Sequence, residues 1–155
     1  MTAAERLREV GMAVPDPPPP KGAYFPTRRS GDQLWVSGAT ARRDGVPAQR
    51  GIVGDSVSLD AACGQAELAA LNLLAAVDAA AGLEAVTAVI QLRGFVRAIP
   101  EFDAHPTVID AASRVLLTAF GAEVGAHART AIGVASLPGG ACVELDLLVS
   151  VAARR

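Results

Sequence analysis

Hydrophobic positions recur along this chain with two spacings, and the changes of spacing mark its elements. Leu34 and Val36 alternate with Gln33, Trp35 and Ser37 just after Ser30-Gly31-Asp32, which predicts a strand over 33–39 entered from a turn. The polar stretch that follows, with Asp44-Gly45, reads as a loop containing a tight turn. Leu68, Leu71, Leu74 and Val77 then fall on one side of a helix, among many alanines. Asp55 or Ser58 can cap that helix and Gly82 can end it. Val86, Ala88, Ile90 and Leu92 return to alternation and predict a strand region over 84–98 with these four on one face. Pro106 fits the first turn of a second helix running through Phe120, with Val108, Ala112, Val115 and Leu116 as its buried side. The end of the chain, 129–135 and 141–151 around Leu137-Pro138-Gly139-Gly140, reads as a hairpin. At the start, residues 3–10 predict a short surface helix stopped by Gly11. The run 15–20, PDPPPP, can only be extended and ties that helix to the body.

Strands with two helices between them predict an α+β sheet with both helices on one face. The other face is then bare. Thr130, Ile132 and Val134 have one parity and Arg129, Ala131 and Gly133 the other, and Leu148 stands on the side of Glu144 and Asp146. Both faces are too apolar to meet water, which predicts a partner subunit.

Composition narrows the class. A chain of 155 residues with 51% hydrophobic and 19% charged content is a single globular domain. Residues 1–21 read as a leading helix and Pro-rich arm, and 22–155 as the body. A net charge of −2 and only one Trp, one Tyr and four Phe give little to attract a phosphate backbone or stack bases. No nucleic acid is expected as a partner. The apolar runs stop well short of the roughly 20 residues of a membrane span, and charges at the N-terminus do not fit a signal peptide. Cys63 and Cys142 lack any pairing or zinc spacing. The expectation is a cytoplasmic protein that touches no membrane, with no metal site. His105 and His127 read as solvent-side histidines.

The candidate chemistry lies in the last two strands. In a hairpin turning near Pro138-Gly139, Glu144 would sit opposite Gly133 and on the same face as Arg129. Arg129, four residues from Gly133, is then roughly 13 Å off along the strand. That spacing suits an arginine and a glutamate gripping two ends of one small acid, with Gly133 leaving it room. Arginine holds a carboxylate through two parallel hydrogen bonds, and glutamate can orient or deprotonate a water. Rim charges or a plain ion pair would give the same pattern, and both readings stand on spacing alone.

The chain resembles the Rid family, also called YjgF or endoribonuclease L-PSP. The resemblance runs over about residues 22 to 151. It comprises G-x-Y at Gly22 to Tyr24, L-W-V-S-G at 34–38, the helix end from Asn72 to Gly82, the 86–92 strand, and above all A-R-T-A-I-G-V-A-S-L-P-G-G-A-C-V-E-L-D at 128–146. It implies a chorismate-mutase-like α+β fold and a homotrimer whose sheets line a central barrel, with pockets between subunits. It further implies a deaminase, needing no cofactor, that hydrolyses enamines and imines such as 2-aminoacrylate to 2-keto acids and ammonia. By position, Arg129 matches the family's carboxylate-binding arginine and Glu144 its water-orienting glutamate. Tyr24, Ser37, Gly38, Ser113, Ile132 and Gly133 match or adjoin the residues that line its pocket. Here Ala39 stands where glutamine is usual, Ala131 where cysteine is, and Ser113 where an asparagine is. Tyr24 is followed by Phe25-Pro26 in place of Ser-Gln. The resemblance is to a divergent branch with an N-terminal extension. The alternative to an enzyme is a trimer that binds a small carboxylate, or regulates another protein, without turnover.

Overall fold

A computed structural model describes residues 1–17, 19–20 and 22–153. Helix α1 (Ala3–Glu9) opens the chain, followed by β1 (Thr27–Ser30), β2 (Gln33–Thr40), and the two-residue strands β3 (Arg42–Arg43) and β4 (Val46–Pro47). Then come α2 (Leu59–Ala81), β5 (Val86–Arg97), α3 (His105–Val124), β6 (Ala128–Val134) and β7 (Val143–Val151). The order in the main sheet is β1-β2-β7-β5-β6, antiparallel except for the β5–β6 pair. Both long helices pack on one face, α2 over β2 and β7 and α3 over β5 and β6, as the α+β reading expects.

Local chemistry accounts for most element ends. Ser58 caps α2 by accepting from the Ala61 amide, and Gly82 ends it at φ 81°. Pro106 stands in the first turn of α3, and Val108, Ala112, Val115 and Leu116 are fully buried. On the sheet, Leu34, Val36, Leu92, Val96, Leu145, Leu147 and Val149 face the helices and are buried. Gly94 lies level with Leu145, and a Cβ there would stand 2.4 Å from Ile109 Cδ1. The missing side chain is what lets α3 lie close to β5.

Four expectations need correction. Residues 129–135 and 141–151 do not form a hairpin, because β5 lies between β6 and β7. The connection from Val134 to Val143 is longer than the two to five residues usual for a hairpin, and it crosses the end of β5 by way of a single helical turn at Pro138–Gly140. The expected face of β5 is also broken. Register shifts at Val86/Ala88 and Val89/Gln91 bring Val89 into the core and leave Ile90 exposed, since each extra residue reverses the alternation. On α2 Leu74 and Val77 are fully buried, as the stripe predicts, together with Ala62, Ala66, Ala69, Ala70 and Leu73, while Leu68 and Leu71 are only partly buried. Small side chains bring the helix close and turn the two leucines toward its rim.

The leading helix is not confined to the surface. Thr2 and Glu5 form a reciprocal capping box, and Leu7 and Ala3 are buried. Helix α1 packs on α3. The Ala3 amide donates to Glu84 Oε1 at 2.7 Å and Arg6 Nε donates to the Ala119 carbonyl at 2.7 Å. The expected limit between arm and body at 21/22, and part of the proline run, fall on Lys21 and Pro18, which lie outside the described residues.

Candidate functional site

Glu144 projects from β7 on the face without helices, level with Phe95 of β5, and β2 runs along its other side with Thr40 opposite. Strand β2 is irregular between Val36 and Ala39. The Glu144 carboxylate lies over Gly38 in that irregular stretch, where a Cβ would come 2.6 Å from its Oε1. Tyr24, Ser37, Gly38, Arg42, Asn72 and Glu144 share a cavity of about 510 Å³. Ser37 is held there by its hydroxyl, which donates to the Phe25 carbonyl at 2.7 Å. Asn72, a buried polar residue of α2, accepts from the Arg42 amide at 2.9 Å and donates to the Arg42 carbonyl at 3.4 Å. The α2 helix thereby fixes the strand carrying Arg42 at the cavity wall.

Burial pushes the Glu144 carboxyl up from the ordinary glutamate range, and the nearby Asp146 charge adds to this. Arg42 pulls the other way and is outweighed. Asp146 itself is engaged by Arg93, whose Nε and Nη2 donate to its two oxygens at 2.8 and 2.7 Å. A partly desolvated carboxyl with a raised pKa in a cleft suits proton exchange with a water or an amine.

The second cluster lies on β6, an outer strand of the sheet. Arg129, Ala131 and Gly133 are level with Leu92, Gly94 and Val96 and therefore face the helices. Arg129 reaches α3, where Nη1 donates to Asp110 Oδ1 and, at 3.2 Å, to Ser113 Oγ. Ser113 Oγ also lies 3.0 Å from His127 Nε2, and His127 Nδ1 lies 2.6 Å from the Gly125 carbonyl oxygen. Further along β6, the ring of His105 covers Gly133, where a Cβ would fall 2.6 Å from Nε2, and makes an edge contact with Phe102. Neither histidine is simply solvent-side, as the sequence reading expects. Ile132 points to the bare face and is 46% exposed.

Within one chain the two clusters do not meet. Gly133 is level with Val143, not Glu144, and Arg129 with Leu147. Two strand widths and three residues separate the backbones of Arg129 and Glu144, roughly 14 Å, and their side chains leave opposite faces. The structure thus gathers Tyr24, Ser37, Gly38 and Glu144 in one cavity and Ser113 with Arg129 in another place. Asp110 and His127, like Arg42 and His105, have no site role in the sequence reading, which names the two histidines only as solvent-side. Two spacings point to the first pair: Asp110 and Ser113 are one helical turn apart, and His127 and Arg129 have strand-face parity.

The family model described as endoribonuclease L-PSP matches residues 15–151. Protein TCP17 of Trypanosoma cruzi is 38% identical over 149 residues, which is 96% of this chain and 93% of that protein. A crystal structure of a protein of unknown function from Agrobacterium tumefaciens is 40% identical, with a TM-score of 0.90 over 97% of this chain and 92% of that one. A candidate endoribonuclease from Shewanella oneidensis is 27% identical, with a TM-score of 0.93 over 97% of this chain and 100% of that one.

Proposed function

Since the chain belongs to the endoribonuclease L-PSP family, known also as Rid or YjgF, we propose that it hydrolyses small 2-imino acids to 2-keto acids and ammonia. The site would be shared by two protomers of a homotrimer. The observation that carries this reading is the Glu144 carboxyl lying on Gly38, in a cavity with Tyr24 and Ser37 and with its pKa raised. Arg129 supports it from the sheet edge. Its Nε and Nη2 donors have no partner among the described residues.

The chemistry asks for little machinery. An imine carbon is already electrophilic. Glu144 takes a proton from a water whose oxygen attacks that carbon, and the C=N π pair moves to nitrogen, which gains a proton from a solvent water. The resulting carbinolamine takes a second proton on nitrogen from Glu144. Its C–N bond breaks, ammonia leaves, and the C=O of the keto acid forms as the hydroxyl proton returns to the solvent hydroxide, leaving Glu144 ionised as at the start. Arg129 of the neighbouring protomer holds the substrate carboxylate and offsets its charge. RNA cleavage is a weaker reading, because a net charge of −2 offers little to a phosphate backbone. The free thiols of Cys63 and Cys142 fit a reducing, cytoplasmic setting.

A second reading is a trimer that holds a small carboxylate without turning it over. It is favoured by Ala39 and Ala131 in place of the glutamine and cysteine usual in the family. One assay separates the two. An amino-acid oxidase generates an imino acid in situ, and semicarbazide traps what survives. The deaminase reading expects wild type to deplete the trappable imine, with Arg129→Ala and Glu144→Ala slower by at least about a hundredfold. No acceleration over buffer, together with saturable keto-acid binding lost in Arg129→Ala, would leave the binding protein as the reading.

A further inference from the structure

We infer that Asp110, Ser113 and His127 are positioning residues for Arg129, holding its guanidinium by Nη1 so that the Nε–Nη2 edge is presented to an incoming carboxylate. This rests on the reading above that Arg129 takes the substrate acid. Nη1 is bracketed by two groups one helical turn apart on α3, Asp110 Oδ1 and Ser113 Oγ. The Ser113 hydroxyl is itself fixed from behind. A carbonyl oxygen can only accept, so the contact of His127 Nδ1 with the Gly125 carbonyl at 2.6 Å places a proton on Nδ1. On the neutral ring Nε2 is then an acceptor, and at 3.0 Å it takes the hydroxyl proton of Ser113. That leaves Ser113 Oγ to accept from Arg129 Nη1 at 3.2 Å. Every bond in the chain has one direction, from guanidinium to hydroxyl to imidazole to backbone, and each strengthens the next.

The unengaged edge is the one that matches a carboxylate. Elsewhere in the same chain Arg93 takes both oxygens of Asp146 with those two nitrogens, at 2.8 and 2.7 Å. On Arg129 the Nε and Nη2 donors have no partner among the described residues. Asp110 occupies only Nη1, through one oxygen, and so leaves that fork clear. The arginine stem starts on β6 and the brackets on α3, so the guanidinium is fixed at two points before a ligand arrives. An arginine held in this way loses less freedom on binding than one that samples solvent.

The test uses the full chain, labelled with ¹⁵N and read in two ways. In the free protein, the Arg129 guanidinium signal, assigned by its loss in Arg129→Lys, reports rotation about the Nε–Cζ bond. Separate Nη1 and Nη2 resonances are expected in wild type. Ser113→Ala is expected to merge them and to weaken pyruvate binding about tenfold, with the melting temperature nearly unchanged. Ser113→Thr, which keeps the hydroxyl, is expected to restore both. If Ser113→Ala leaves the guanidinium signals and the pyruvate affinity as in wild type, the positioning role is overturned. Loss of pyruvate binding in Arg129→Ala would still uphold the parent reading in that case. If wild type binds no pyruvate, the parent reading falls, and the resonances of the free protein still decide whether Ser113 holds the guanidinium.

Discussion

At the scale of the residue, Glu144 carries a proton more readily than a solvated glutamate, because burial and Asp146 both oppose its charge. The stabilising contribution of the protonated form is complete below the ordinary value of 4.5 and is lost as pH rises through the elevated folded value. Glu144→Gln is therefore expected to melt above wild type at pH 7, with the gap closing as pH falls toward 4.5, while imine hydrolysis is lost. Thermal melts at the two pH values check the sign. Gly38 meets the same carboxylate from the other side. In Gly38→Ala the new Cβ confronts the end of a flexible side chain, so the fold should lose no more than about 1 kcal/mol. Turnover should fall at least tenfold as Glu144 is pushed aside. A Gly38→Ala protein with full activity would show that the carboxylate need not lie where the structure puts it.

At the scale of the element, the leading helix behaves as part of the core. Leu7 is fully buried and α1 is tied to Glu84 and to the Ala119 carbonyl. Leu7→Ala is expected to cost about 2–4 kcal/mol in urea unfolding, where a surface appendage would cost almost nothing. How legible the elements are in the sequence follows from what makes them. Ser58, Gly82 and Pro106 act within a few residues of themselves, so the limits of α2 and the start of α3 can be read directly. The face of β5 cannot, because its two register shifts depend on β7 beside it. Leu68 and Leu71 mislead for a related reason. Their spacing is helical, but much of the fully buried side of α2 is made of alanines.

At the scale of the whole molecule, the bare sheet face carries Trp35 and Ile132, each about half exposed, beside the Arg93–Asp146 pair. One chain holds Arg129 and Glu144 on opposite faces, so a site using both needs two protomers. Mixing offers a direct check. Arg129→Ala and Glu144→Ala should each be inactive, yet trimers reassembled from equal amounts should recover about a quarter of wild-type activity, since one interface in four then pairs an intact arginine with an intact glutamate. Recovery depends on exchange of subunits, and light scattering should give three times the chain mass. Mixtures that have exchanged subunits and are still no more active than their parts would mean that the two residues do not share a site.

The sequence by itself determined the helices, the limits of α2 and the start of α3, most of the strands, the α+β layering and, through the 128–146 block, the family. These follow from caps, periodicity and a motif contiguous in the chain. Tertiary structure alone decided that β5 separates β6 from β7. It also set Arg129 against α3, and placed Glu144 on Gly38. Alternation says which residues share a face of one strand. It is silent on which strands are neighbours, because that is settled by hydrogen bonds and packing between segments far apart in the chain.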